Sequence, residues 1–327
     1  MNKRMRGRTR AADHRKTHLG AMLLFMFTLA ALIAAALIRP AMRTDKPDGD
    51  ELTNIEIVLD HVDADEGVSR RVLLELMKAD TEKSTGIGLS GEGPTVLIYH
   101  THTTEAYFPT KRYTYAASSP WRTKDNGMNV VAVGEKLCTL LNERYGIYAI
   151  HDITDHEPPK LSSAYSRSLE TMLEYKKKYP TIELFIDLHR DAYGNDPKAP
   201  ADYLVIDGKE CARIMFVVGT GEGATGAGFD EMPDFQSNYA LAKGISEYLG
   251  TIHHSLARNI RVKVGRYNQH VSSHCLLAEV GHNANTFEQA MNSVEFLAEA
   301  IANAASAPAS AQVEEEEALP TMLQLTP

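Results

Sequence analysis

The sequence predicts an α/β fold: a sheet covered by helices on both faces, preceded by an N-terminal transmembrane helix. Three observations carry this expectation. Short apolar runs rich in β-branched residues, such as "TVLIYH" and "HCLLAEVG", alternate with longer amphipathic stretches. Polar residues suited to metal binding and proton transfer collect where three of the apolar runs end. One uncharged stretch near the N-terminus is long enough to cross a bilayer.

Residues 1–18 form a basic arm carrying Lys3, Arg4, Arg6, Arg8, Arg10, Arg15 and Lys16. Residues 19–38, "LGAMLLFMFTLAALIAAALI", contain no charge. A helix of about 20 apolar residues spans the hydrocarbon layer, and a basic flank stays in the cytoplasm. The expected location is therefore the cell membrane, single-pass, with everything after Arg39 outside. A cleaved signal peptide is the alternative, given an Ala-x-Ala pattern at Ala34 to Ala36, but the apolar run is long for one. Residues 39–93 read as a juxtamembrane segment and linker. Within them, "ELTNIEIVLDHV" alternates like a strand, and "GVSRRVLLELMKAD" places Val68, Val72, Leu73, Leu76 and Met77 on one helix face. "TEKSTGIGLSGEGP" is a Gly/Ser-rich hinge.

The main domain is expected over residues 94–306. "TVLIYH" is its first strand. "NVVAVGEKLCTLLNERYG" is a helix with Val130, Val133 and Leu137 on one face and Gly146 as its stop. "IYAIHD" is a strand, and "AYSRSLETMLEYKKKYP" a helix ending before Pro180. "TIELFIDLHRD" is a strand, and "ADYLVID" and "CARIMFVVGT" look like a hairpin. "NYALAKGISEYLGTIHHSLA" is a helix, "IRVKVG" and "HCLLAEVG" are strands, and "TFEQAMNSVEFLAEAIANAAS" is the last helix. Residues 307–327, with "EEEE" and two prolines, read as an acidic disordered tail.

A net charge of −9 argues against nucleic-acid binding, which calls for a basic face. Cys138, Cys211 and Cys275 are scattered and form no CxxC pair, which excludes a disulfide framework and a cysteine zinc site.

The three polar strand ends are "HTHTTE" (His100, His102, Glu105), "DLHRD" (Asp187, His189, Arg190, Asp191) and "LAEVGHNANT" (Glu279, His282, Asn285). His102 and Glu105 stand three apart, so one turn can aim both at a single point. A catalytic zinc takes three protein ligands and leaves a position for water. His102, Glu105 and His189 supply such a set, and Glu279 remains as a carboxylate that can move a proton from water to a leaving nitrogen. His100 shares a strand face with His102 under a period of two and is the alternative ligand. Blander readings exist: His189 hydrogen-bonded at a strand end, or Glu279 paired with Arg190. His151 and His156 flank a loop, and His253 and His254 lie on a helix; all four are expected at the surface.

Taken together, "VLIYHTHTTEAY", "NVVAVGEKL", "DLHRDA", "FVVGT", "SNYALA", "YNQHVSSHCLLAEVG" and "NTFEQAMNSVEFLAEAIA" resemble the stage II sporulation protein P family, in order, from about Thr95 to about Ala302. The resemblance implies a membrane-anchored septal peptidoglycan hydrolase of endospore-forming bacteria. It also implies N-acetylmuramoyl-L-alanine amidase activity, endopeptidase activity on crosslinks, and action with stage II sporulation proteins D and M in engulfment. More broadly, Glu279, Gly281 and Asn285 are similar to a pattern in zinc amidases of the cell wall, which implies a zinc amidase-like fold. In those amidases the ligand glutamate lies further downstream, where this chain has "KDNGMNV" without one. Glu105 takes the place because its H-x-x-E setting resembles zinc carboxypeptidases. On this reading Zn2+ is the cofactor and Glu279 the general base. Arg190 stabilises the oxyanion or binds a stem-peptide carboxylate, and Asn268, Gln269 and Asn285 contact substrate. A zinc endopeptidase acting on crosslinks only, or a non-catalytic membrane scaffold, are the alternatives.

Overall fold

The computed structural model describes residues 61–65, 67–81, 87–192, 202–224 and 229–306. The expected membrane span at 19–38, all but the end of the strand expected over 51–62, and the acidic tail lie outside them. Among the described residues no helix is long and apolar enough to cross a membrane.

The elements run β1 (Val62–Ala64), α1 (Arg70–Thr81), β2 (Val96–Tyr99), α2 (Val130–Glu143), β3 (Ala149–His151), a 3-10 turn at Leu161–Ser163, α3 (Ala164–Lys178), β4 (Leu184–Asp191), β5 (Tyr203–Ile206), β6 (Lys209–Ala212), β7 (Ile214–Gly219), α4 (Phe235–Ile252), β8 (Ile260–Lys263), β9 (Cys275–His282) and α5 (Phe287–Ser306). Seven strands form one sheet in the order β1-β8-β7-β9-β4-β2-β3. Every neighbouring pair is parallel except β7 and β9. The fold is mixed α/β, with helices between most of the strands.

The alternation along each strand decides what faces where. Val96 and Ile98, then Leu184, Ile186 and Leu188, then Leu276, Ala278 and Val280, point into the large core beneath α1, α2, α4 and α5. Leu97, Tyr99, Phe185 and Cys275 point to the opposite face, where Met172 and Leu169 of α3 cover them. The helices form because their apolar residues keep the helical period: Val130, Val133, Leu137 and Leu141 of α2 are all buried. Asn129 caps α2, its side chain accepting from the Val131 amide at 2.9 Å. Gly146, at φ +65, lets the chain turn back after the helix.

Two expectations change. The predicted hairpin is shorter, because "CARIMFVVGT" is two strands rather than one. Cys211 and Ala212 close an antiparallel pair with β5 across Asp207 and Gly208, both at positive φ, as a two-residue hairpin turn requires. Beyond Arg213 the chain enters the main sheet as the fully buried β7. The stretch before Thr95 also joins the main body: β1 pairs with β8, and Val72, Leu76, Ile87 and Leu89 lie in the large core.

Candidate active site

The site stands on the α3 side of the sheet. In β4, Asp187 and His189 alternate with the core residues Ile186 and Leu188 and so share the α3 face. In β9, Glu279 lies between the core residues Ala278 and Val280 and faces the same way. The register sets His189 directly beside Glu279. Just beyond, the pairing shifts between His189 and Asp191. Gly281 absorbs that shift at φ +72, and a Cβ there would lie 2.8 Å from the Ala212 Cβ.

β2 ends at Tyr99, and residues 101–104 form a turn. That turn is tied to β4: Asp187 Oδ1 accepts from the Thr101 amide at 2.8 Å, and Asp187 Oδ2 from Thr101 Oγ1 at 2.6 Å. The Glu105 amide donates to the His102 carbonyl at 3.3 Å, which brings the two side chains to one side. Glu105 Oε2 accepts from His189 Nδ1 at 3.1 Å. The His102 ring meets the His189 ring edge-on, with centroids 5.5 Å apart. On the other side of the His189 ring, Nε2 is 2.8 Å from Asp187 Oδ1. This contact is an ion pair: Nε2 has no aligned hydrogen-bond acceptor.

The electrostatics follow from burial and proximity. Burial opposes charge on His189, yet Asp187 and Glu105 overcome it and hold the imidazolium well above the usual histidine range. Burial would also raise Glu105 and Asp187, but the His189 charge pulls both below the usual carboxylate range. His102 is pushed down to about 4 by burial and then by His189. Burial pushes Glu279 up to about 8, the neighbouring charges adding smaller effects. Three buried polar atoms here, His102 Nδ1, His189 Nε2 and Glu279 Oε2, have no hydrogen-bond partner.

Among the described residues, no group of three or more His, Cys, Asp or Glu side chains is placed to hold a metal ion. The donor types are nonetheless ones that zinc takes, and one pair has the spacing. Zinc ligands at about 2.0–2.2 Å in a tetrahedron stand roughly 3.3 Å apart; Glu105 Oε2 and His189 Nδ1 stand 3.1 Å apart. Asp187 stands 2.8 Å behind the far nitrogen of His189, where a carboxylate would orient a metal-binding histidine. The His102 ring lies beside this pair, its centroid 5.5 Å from that of His189.

Residues 41–302 match the family model of stage II sporulation protein P. The chain belongs to the stage II sporulation protein P family. It is similar to stage II sporulation protein P of Bacillus subtilis (strain 168), with 26% identity over 211 residues, covering 61% of this chain and 48% of that one. The chain thus spans about half the length of that relative. Solved structures with a distant likeness include the CwlD amidase from Clostridioides difficile in complex with the GerS lipoprotein (TM-score 0.39, 18% identity, 64% of this chain and 95% of that one). Another is the N-acetylmuramoyl-L-alanine amidase AmiC2 of Nostoc punctiforme (TM-score 0.37, 16% identity, 66% and 97%).

Other candidate residues of this stage II sporulation protein P family member are engaged elsewhere. His100 precedes the turn and does not join His102. Its Nδ1 donates to the Leu188 carbonyl at 2.7 Å, and its Nε2 lies 2.8 Å from His151 Nε2. Burial, then the facing His151, push it down to about 3. His151 and His156 are not at the surface either: His156 is buried and bonds the His100 carbonyl and Thr171 Oγ1, each at 2.8 Å. Arg190 points to the face opposite His189, and its guanidinium donates to the carbonyls of Ala106, Trp121 and Asp191. It braces the turn and makes no ion pair with Glu279. Gln269 bridges Val217 and Gly219 through both ends of its amide. Asn285 accepts from the His282 amide and donates to Asp202 and Gln289. Asn268 Nδ2 donates to the Tyr165 carbonyl at 2.8 Å.

Four residues near the site have no role assigned from the sequence. Asp187 is named there at its strand end, and its place two before His189 on the same face is the local signal for a shared site. Arg122 contacts Glu105 at 3.5 Å and Glu157 at 2.5 Å, and Glu157 Oε1 lies 3.8 Å from His102 Nδ1. Tyr165, at the start of α3, meets the His102 ring at 5.7 Å. Arg122 and Glu157 come from loops, where no periodicity signals a shared site.

Proposed function

We propose that this chain is a zinc-dependent peptidoglycan hydrolase that cuts the amide between N-acetylmuramic acid and L-alanine. One observation carries the reading: His189 stands between Asp187 and Glu105, with Glu279 beside it on the next strand and one Glu279 oxygen unpartnered. His102, Glu105 and His189 are the residues that would hold the ion. When bound, zinc supplies carbonyl polarisation and water of lowered pKa. Asp187 holds the His189 ring from the Nε2 side, so that Nδ1 faces Glu105. Glu279 takes the proton of the attacking water and returns it to the departing nitrogen. Its burial favours holding that proton between the two steps. A site at the sporulation septum and action beside stage II sporulation proteins D and M belong to the same reading, supported by the family.

The test is the full chain, with metal analysis and mass spectrometry of products from purified sacculi. Stoichiometric zinc and peptides with a free L-alanine amine are the expected result. New peptide termini within the stem or crosslink would assign an endopeptidase instead. A metal-free chain that leaves the wall uncut would leave only the scaffold.

A further inference from the structure

Amide hydrolysis builds negative charge on the carbonyl oxygen, and a fixed donor at that position lowers the barrier. Arg190, which the sequence suggested for the task, lies on the core-facing side and holds three backbone carbonyls. Another donor stands over the site. Tyr165, the second residue of α3, sets its ring edge-on to His102 at 5.7 Å and edge-on to Tyr267 at 5.7 Å. The charges of Asp187, Glu279 and Glu105 all act on its phenol. Among the described residues its hydroxyl has no hydrogen-bond partner.

The backbone beneath Tyr165 is held by an unusual loop. Asn268 Nδ2 donates to the Tyr165 carbonyl at 2.8 Å and to Ser168 Oγ at 3.0 Å. Ser168 Oγ also donates to that carbonyl at 3.2 Å and lies 2.8 Å from Thr101 Oγ1, which bonds Asp187. Tyr267 and Asn268 are successive non-glycine residues in the left-handed region, at φ 48 and 56. Such residues persist where surrounding structure enforces them, often at functional sites. Glycines clear the space: a Cβ at Gly265 would lie 2.5 Å from the Tyr267 ring, and one at Gly219 2.8 Å from it.

We propose that Tyr165 is a catalytic residue that donates its phenolic hydrogen bond to the carbonyl oxygen of the scissile amide, and that Asn268 is a positioning residue acting through it. The proposal rests on the amide-hydrolase reading above. As water oxygen bonds to the carbonyl carbon, Glu279 takes the water proton and the carbonyl π pair moves onto oxygen. Tyr165 keeps its proton and strengthens its bond to that oxygen. On collapse the pair returns, the C–N bond breaks, and the nitrogen takes the proton from Glu279.

The experiment uses the full chain with zinc and a soluble N-acetylmuramoyl-L-alanyl peptide. Tyr165→Phe should lower kcat by about 10²–10³-fold, with KM, zinc content and melting temperature near wild type. Its affinity for a phosphinate analogue, which mimics the tetrahedral state, should fall by a similar factor. Asn268→Ala should lower kcat alone, and should add nothing further in the Tyr165→Phe background. A Tyr165→Phe chain that cuts within about threefold of wild type, or that loses zinc or folding along with activity, overturns the role. Independent, additive losses overturn the link to Asn268. A wild-type chain that binds zinc yet cuts no muramoyl-peptide overturns the reaction itself, and this role with it.

Discussion

The Asp187 carboxylate lies 2.8 Å from His189 Nε2, while Glu105 lies 3.1 Å from Nδ1 of the same ring. The histidine is thus held at both ends, one end by a residue of its own strand. If Asp187 orients a metal ligand, Asp187→Asn should weaken zinc binding by about 10–100-fold, measured by chelator competition, with far-ultraviolet circular dichroism unchanged. Wild-type zinc affinity in that variant would remove Asp187 from the site.

Glu279→Gln keeps the size of the side chain but cannot accept a proton. General acid–base groups contribute about 10²–10⁴-fold, so turnover should fall by that order while zinc stays bound. Zinc content, melting temperature and turnover on one preparation separate the possibilities. Loss of zinc would make Glu279 a ligand, and near-normal turnover would end its role as base.

Gly134 lies within α2, where glycine is unfavourable relative to alanine, and the reason is packing. A Cβ there would stand 2.7 Å from His100 Nε2 and 2.8 Å from His151 Nε2. Gly134→Ala should therefore destabilise the fold by about 1–3 kcal/mol, read by chemical denaturation, without altering zinc stoichiometry. A more stable variant would show that the histidine pair yields easily.

Burial pushes the Cys275 thiol up to about 12. The thiol form therefore dominates in the folded chain at neutral and mildly alkaline pH. Iodoacetamide at mildly alkaline pH should leave Cys275 unmodified until denaturant is added, as peptide mass spectrometry would reveal. Rapid labelling of the native chain would show that β9 opens at its start.

The basic arm and the uncharged residues 19–38 predict a single membrane crossing. A reporter fused after residue 60 should work only outside the cytoplasm. An enzyme reporter active inside the cell at that fusion point would reverse the topology.

Much of the fold could be read from the sequence, for physical reasons. Apolar period marks α2, α4 and α5, because a helix must bury one stripe, and short apolar runs mark β2 and the starts of β4 ("LFI") and β9 ("CLLA"), because an interior strand is covered on both faces. The H-x-x-E spacing placed Glu105 and His102 in one turn, since that relation is local. Parity along β4 also set His189 and Asp187 on one face and Arg190 on the other, a local signal that the oxyanion expectation for Arg190 overlooked.

The rest depended on where strands end and which loops meet. A period of two joins His100 to His102 only while the strand continues, and β2 stops at Tyr99, so the two histidines part. Asn268 and Gln269 read as polar loop residues open to substrate, but the left-handed turn at Tyr267 folds them inward onto Tyr165 and β7. Local sequence determined the elements and the parity of each side chain, because both follow from backbone geometry. Tertiary structure alone decided that His189 stands beside Glu279 and that Tyr165 meets the His102 ring, because strand register and loop packing join residues distant in the chain, and no local period encodes them.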